Sequence, residues 1–169
     1  MNHRMNHLEL IISDTGPLIS LEKLTDGYRF IRHLYHTIIV PPTVLEEVAQ
    51  GQFDHSQAYL DYYDIADLIK VRKSSYDSIL PEMELLHQGE IQAIQLAFEL
   101  NIALLIEETA GRRVASQLGI HISGIAGQII KAFQENIISY QEANHKLDEL
   151  LKAGRINPNI YDTLVKVIQ

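Results

Sequence analysis

The chain has 169 residues, of which 46% are hydrophobic, and its formal net charge is -8. This length and hydrophobic content suffice for one compact core and leave little room for a second full domain. The absence of cysteine excludes disulfides, thiolate zinc sites and cysteine nucleophiles. The negative charge opposes phosphate binding, so a nucleic-acid-binding function requires a cation or local arginines to compensate.

Taken in chain order, the first half alternates short apolar runs with segments of helical spacing. Runs at 10–12, 37–40 and 68–71, mostly rich in β-branched residues, predict buried parallel strands. Helices are predicted after the first two strands, beginning with Gly16-Pro17 in one case and containing 41–48 in the other. A further amphipathic helix at 58–64 is expected to bury its tyrosines in the core or at a dimer contact.

The second half continues the alternation and ends in helices. A loop at 73–88, either a lid or a crossover, precedes an amphipathic helix at 89–101 and a strand at 103–106. A helix from near Ala110 to Gly119 leads to a fifth short strand at 121–123. Three more helices are predicted at 127–135, 139–152 and 158–168, the second opened by the capping box of Ser139 and Glu142 and the third by Asn157.

This pattern predicts a single α/β domain over residues 1–169. Its α/β core spans 1–136, and 137–169 forms a C-terminal helical extension. The polar amino terminus and the lack of any apolar run near the roughly 18 residues of a membrane helix predict a cytoplasmic protein without a membrane segment.

Acidic residues follow the predicted strands, at the end of the sheet where parallel α/β proteins bind ligands. Asp14 ends the first strand, and Glu47 lies in the helix after the second. Glu90 begins the helix before the fourth strand, which Glu107 and Glu108 directly follow. Each position alone has an ordinary explanation as a helix cap or a solvated acid. Their equivalent placement predicts one shared site.

Close carboxylates repel one another unless they are protonated or bridged by a cation. Ligation by oxygen alone favours Mg²⁺ or Mn²⁺, and two such ions about 3.5 to 4 Å apart can activate water and stabilise a leaving oxygen. Arg112 and Arg113 begin the helix after the fourth strand and are candidates for binding a substrate phosphate. Lys131, Lys152 and Arg155 are candidates for a basic rim.

These motifs and their order resemble PIN domains, the nuclease fold of VapC-type toxins, and more closely an uncharacterised prokaryotic branch of that superfamily. The resemblance covers nearly the whole chain. The matching stretches are Ile12-Ser13-Asp14-Thr15-Gly16-Pro17-Leu18-Ile19, 40–48, 89–97, 104–113, Gly124, Gly127 and 154–158.

The resemblance implies a three-layer α/β/α fold with a central, mainly parallel sheet of about five strands and extra C-terminal helices. It also implies that Asp14, Glu47, Glu90 and Glu107 form the catalytic metal site for Mg²⁺ or Mn²⁺. Thr15 is expected to hydrogen-bond near the metal. In the same positions, Glu46 is the alternative to Glu47 and Glu108 the alternative to Glu107.

The function that follows from the resemblance is a metal-dependent endoribonuclease that hydrolyses RNA phosphodiesters. Such a protein is expected to be the toxin of a toxin-antitoxin pair, to bind an antitoxin protein and to form a homodimer. One departure from the pattern is Glu107, which stands where the family usually has aspartate and so displaces the carboxylate by one carbon-carbon bond. That departure and the net charge favour an alternative, a catalytically weak or inactive PIN-like interaction module that dimerises and binds an antitoxin-like partner or nucleic acid.

Overall fold

The structure is a computed structural model that describes residues 9–77 and 80–169. A five-stranded sheet lies at its centre, with the order β3-β2-β1-β4-β5 and parallel pairing throughout. Its strands are β1 (Glu9–Ser13), β2 (Tyr35–Val40), β3 (Ile69–Val71), β4 (Leu104–Leu105) and β5 (Ile122–Ser123). The predicted α/β fold with a parallel sheet is confirmed. Because β1 lies between β2 and β4, the sheet has its topological switch point beside β1, where such folds bind ligands.

Helices connect the strands and continue to the carboxyl end. They are α1 (Thr15–Lys23), α2 (Gly27–Ile31), α3 (Pro42–Ala49), α4 (Ser56–Tyr63), α5 (Gln88–Leu100), α6 (Thr109–Gln117), α7 (Ile125–Gln134), α8 (Tyr140–Lys152) and α9 (Pro158–Ile168). The predicted capping box of Ser139 and Glu142 opens α8, and the Asn157 side chain accepts a hydrogen bond from the Ile160 amide at the start of α9. Apart from α2, the boundaries of these helices lie within about two residues of those expected from the sequence.

The side chains of β1, β2 and β4 alternate between two hydrophobic clusters, one on each face of the sheet. In β1, Ile11 packs among residues of α1 to α4 and α7 to α9, whereas Ile12 packs among residues of α5 and α6. Leu105 and Leu104 of β4 divide in the same way. The sheet is therefore the middle of three layers, and the two C-terminal helices join the larger cluster.

Two elements are not predicted by the sequence pattern. The first is α2, where Gly27 packs so closely on α1 that an added Cβ would lie 1.9 Å from the Leu21 carbonyl oxygen. The second is a 3₁₀ helix at Pro81–Leu85, inside the predicted loop at 73–88. Met83 of this 3₁₀ helix is fully buried against the α5 and α6 side of the sheet, so this part of the segment is packed into the fold.

The tyrosines of α4 divide between core and surface, as an amphipathic helix predicts. Tyr59 is fully buried, and its hydroxyl lies 2.6 Å from that of Tyr28. Tyr62 is 72% exposed and packs edge-on against Phe53. Across residues 9–77 and 80–169, no helix combines the length and apolar character needed to cross a membrane.

Candidate functional site

Asp14 lies at the centre of the candidate site, immediately after β1 and at the N-cap of α1. It is only 3% exposed, and its backbone amide donates to the Leu105 carbonyl across the sheet at 3.0 Å. Burial raises the pKa of its carboxyl to about 7, against the lowering effect of a hydrogen bond from the Thr15 backbone. The negative charges of Glu90, Glu47 and Glu108 raise it further. These three acids therefore share one electrostatic environment with Asp14.

Glu90 is the second buried acid, in the first turn of α5 and 5% exposed. Burial raises its pKa, and the charges of Glu108 and Glu47 act in the same direction, while His87 at the helix N-cap opposes them. Glu90 lies at the carboxyl end of the sheet because α5 begins at that end. A Cβ on Gly111 of α6 would lie 3.6 Å from the Glu90 carboxyl carbon, so α5 and α6 meet at this carboxylate.

Glu47 approaches from α3, where it lies in the last turn of the helix. Its Oε2 accepts a hydrogen bond from the Thr15 hydroxyl, which links α3 to the turn after Asp14. A Cβ on Gly89 would lie 2.9 Å from each Glu47 carboxylate oxygen. A side chain at this position would displace the Glu47 carboxylate, so the start of α5 lies directly against it. Glu46, the alternative to Glu47, is exposed.

Glu107 and Glu108 follow β4 and leave it on opposite sides. Leu105 faces the α1 side of the sheet, whereas Leu104 and Ile106 face the α5 and α6 side. Continuing this alternation directs Glu107 toward α1 and Glu108 toward Glu90. The electrostatic effect of Glu108 on both Asp14 and Glu90 agrees with this direction.

The Glu107 carboxylate is fully engaged on the α1 side. Its Oε1 accepts hydrogen bonds from the Ser20 hydroxyl at 2.6 Å and from Arg155 Nη2 at 3.1 Å. Its Oε2 accepts from the Ile125 amide at the start of α7, at 3.1 Å. Glu107 thus pairs with an arginine and a helix N-terminus. Of the four acids predicted to form the metal site, the structure brings Asp14, Glu47 and Glu90 together, joined by Glu108.

The predicted phosphate-binding residues and basic rim lie in different environments. Arg112 donates from Nη1 to the Ile106 carbonyl at 2.8 Å, whereas Arg113 is exposed. Lys152 is exposed and pairs with Asp148 at 2.6 Å. The prediction that Lys131 belongs to the rim is wrong. It lies over the Tyr35 ring and 3.7 Å from Glu9, at the opposite end of the sheet, because α7 runs away from the site.

The acids at this site provide oxygen donors that fit a hard divalent ion such as Mg²⁺ or Mn²⁺. Carboxylate oxygens are the donors that such ions prefer, and the charges acting on Asp14 from its three neighbours are all negative. Within the described part of the chain, no three acidic or histidine side chains form a ready-made metal-binding group. Gathering around an ion therefore requires these carboxylates to approach one another, which a cation favours by removing their repulsion.

Comparison with known families agrees with the sheet topology and the motifs. The family model described as "DUF3368: PIN domain" matches residues 10–169. The chain belongs to this PIN-domain family. PIN domains are generally nucleases and generally use divalent metal ions. The resemblance drawn from the sequence motifs is confirmed.

One solved structure similar to this PIN domain is a PilT N-terminus domain protein from the hyperthermophilic archaeon Sulfolobus solfataricus P2. The two share 20% sequence identity, the alignment covers 69% of this chain and 87% of that chain, and the TM-score is 0.49. No curated protein matches the sequence.

Two features of this PIN domain are not among the predictions made from the sequence. Arg155 is predicted only as part of a basic rim, yet it pairs with Glu107. Its position after Gly154, between two helices, carries no signal of where the side chain points. The motifs also leave open which of Glu107 and Glu108 faces the site, although the alternation through Leu104, Leu105 and Ile106 contains the signal needed to separate them.

Proposed function

We propose that this PIN domain is a Mg²⁺- or Mn²⁺-dependent endoribonuclease whose metal site is formed by Asp14, Glu90, Glu47 and Glu108. The supporting observation is the convergence of these acids at the carboxyl ends of β1 and β4, with Asp14 buried among like charges. Burying several carboxylates together is unfavourable for folding, so perturbed groups of this kind concentrate at functional sites. A bound cation offsets the repulsion between the carboxylates and makes the same arrangement energetically favourable.

Asp14 and Glu90 are proposed as the principal metal ligands because they are the two buried acids. Glu47 and Glu108 complete the donor set from α3 and from the N-cap of α6. The Thr15 hydroxyl orients Glu47 by donating to its Oε2. A divalent ion held there supplies charge stabilisation for the phosphodiester and favours deprotonation of an attacking water.

The raised pKa of Asp14 should make metal binding pH-dependent. Ligation requires the deprotonated carboxylate, and burial raises the pKa of this group to about 7. Protons therefore compete with the ion at Asp14 near neutral pH. We expect metal affinity to rise as the pH increases through this range.

Glu108 is proposed in place of Glu107 as the fourth acid. Support comes from the charge effect of Glu108 on Asp14 and Glu90, and from the ion pair that already neutralises Glu107. The glutamate that departs from the family pattern then has no metal to coordinate. The extra methylene of Glu107, compared with the usual aspartate, is then no argument against metal binding or catalysis.

The choice of RNA as substrate rests on the resemblance to VapC-type nucleases. The same resemblance supports our proposal of a cytoplasmic homodimer that binds an antitoxin-like protein. The exposed Arg113, in the first turns of α6, is the proposed phosphate contact, while Arg112 is held by the Ile106 carbonyl and supports the loop after β4. With a net charge of -8 the protein has little general affinity for phosphate, so binding depends on these local groups and the metal.

The test is cleavage of a labelled RNA of mixed sequence in Mn²⁺, Mg²⁺ or EDTA. Wild type is compared with Asp14→Asn and with Asp162→Asn, which makes the same chemical change at an exposed position of α9. All three proteins are purified identically to exclude a contaminating nuclease. We expect cleavage to require metal and to persist in Asp162→Asn. The loss in Asp14→Asn should exceed the roughly 10- to 100-fold typical of residues behind a metal ligand.

Two outcomes contradict the proposal. Equal metal-dependent cleavage by wild type and Asp14→Asn places the activity elsewhere or in a contaminant. Inertness of wild type across many RNAs, with no detectable Mn²⁺ binding, favours the interaction module instead.

A further inference from the structure

Arg155, in the loop between α8 and α9, extends its side chain to the carboxyl end of the sheet. Its Nε donates to the Ser20 hydroxyl at 2.9 Å, and its Nη2 donates to the Gly16 carbonyl at 3.0 Å and to Glu107 Oε1 at 3.1 Å. One guanidinium therefore binds two groups of α1, the Ser20 hydroxyl and the Gly16 carbonyl, and also the Glu107 carboxylate in the loop after β4. The planar, multi-donor geometry of arginine suits this arrangement, and lysine cannot reproduce it.

This network is shielded and internally neutralised. The side chains of Arg155 and Glu107 are 26% and 19% exposed. Ser20 is buried and donates to Glu107 while it accepts from Arg155, so the three groups close a ring of hydrogen bonds. Removing either Arg155 or Glu107 would leave the charge of the other poorly solvated and without its ion-pair partner.

The network touches both segments that carry the proposed ligands. The Gly16 carbonyl belongs to the first turn of α1, directly after Asp14 and Thr15. Glu107 is the residue before Glu108. Holding Gly16 and Glu107 on one guanidinium fixes the spacing between the turn after β1 and the loop after β4.

We propose that Arg155 is a positioning residue for the carboxylate site: with Glu107 it clamps the α1 turn to the β4 loop and so sets the placement of Asp14 relative to Glu108. This role rests on the proposed function. The role also connects the C-terminal helical segment to the proposed activity, because Arg155 lies in the loop after α8.

The test compares Arg155→Gln with Arg32→Gln in the full chain. Arg32 forms a bidentate pair with Asp67, at 2.9 and 2.8 Å, and lies before β2, at the opposite end of the sheet. Each variant loses one arginine and one ion pair, so the change in net charge is matched between them, and the unfolding free energy of each variant is measured alongside. The readouts are the Mn²⁺ dissociation constant of the folded protein, RNA cleavage at saturating Mn²⁺, and the metal-free ¹⁵N spectrum.

We expect Arg155→Gln to weaken Mn²⁺ binding about 10-fold, the scale of residues behind metal ligands, while Arg32→Gln stays within about two-fold of wild type. In metal-free spectra the amide signals of Thr15 and Glu108 should move in Arg155→Gln only. Glu107→Gln should give a similar loss, and the double variant with Arg155→Gln should be no worse than either single change, because both break one clamp.

Several results overturn the proposal. Mn²⁺ affinity and cleavage within two-fold of wild type in Arg155→Gln show that the ion pair is only structural, as does a double variant whose loss is the product of the single losses. If Arg155→Gln does not fold, Arg155→Lys replaces it, and wild-type Mn²⁺ affinity in that variant is contrary to the clamp. If wild type itself binds no Mn²⁺ and cuts no RNA, the nuclease function fails, and the clamp is decided by the amide signals alone: movement supports it, no movement rejects it.

Discussion

Replacing Asp14 with asparagine should stabilise the metal-free protein at neutral and alkaline pH. Folding raises the pKa of this carboxyl from 3.8 to about 7, chiefly by burial. The folded state therefore binds more protons than the unfolded state between these values. The stability that the group contributes is fully present below pH 3.8 and is lost as the pH rises through about 7.

The magnitude follows from the same shift. At 1.36 kcal/mol per pKa unit, the change from 3.8 to about 7 corresponds to about 4 kcal/mol. Asparagine carries no charge at any pH and avoids this loss. We expect Asp14→Asn to exceed wild type by up to about 4 kcal/mol at pH 8, which is roughly 8 to 16 °C in Tm for a chain of this size. The advantage should shrink toward pH 4.

The assay is urea and thermal unfolding in EDTA from pH 4 to pH 8, with Asp162→Asn as the control for a generic change from aspartate to asparagine. Adding Mn²⁺ at pH 8 should remove most of this advantage. Wild type gains about 2.7 kcal/mol at a metal concentration of 100 times Kd, and Asp14→Asn gains much less. An advantage that is equal at pH 4 and pH 8, or absent at pH 8, would refute the reasoning that Asp14 is a destabilised buried carboxylate.

Two further predictions concern the other acids. Glu47→Gln should weaken Mn²⁺ binding by at least 10-fold while Glu46→Gln, its exposed neighbour, leaves it within about two-fold; equal effects measured by calorimetry would reject the assignment to Glu47. Glu108→Gln should weaken Mn²⁺ binding and lower the pKa of Asp14, because it removes one of the charges that raise it. A ¹³C NMR titration of the metal-free variant that leaves the Asp14 midpoint unchanged would contradict the placement of Glu108.

The amino-acid sequence is sufficient to predict the parallel sheet and the acids that stand at its carboxyl end. Buried strands and the acids that follow them are local patterns, so the sequence alone places Asp14 and Glu90 at the carboxyl ends of the strands. It is insufficient for α2, which has only five residues and depends on the close contact of Gly27 with α1. It also fails for Lys131, because the direction in which α7 leaves the sheet decides which end of the molecule that lysine reaches.

The pair Glu107-Glu108 shows how tertiary context divides two identical residues. Because successive side chains of an extended chain point to opposite sides, the two glutamates face opposite sides of the sheet, and the local sequence is enough to predict this. What each does there depends on distant residues: Glu108 raises the pKa of Asp14 and Glu90, whereas Glu107 pairs with Arg155. A glutamate neutralised by arginine and the α7 amino terminus contributes little negative charge to the site, and a glutamate among carboxylates raises their pKa values. The same side chain therefore acts as a clamp in one position and as a candidate metal ligand in the next.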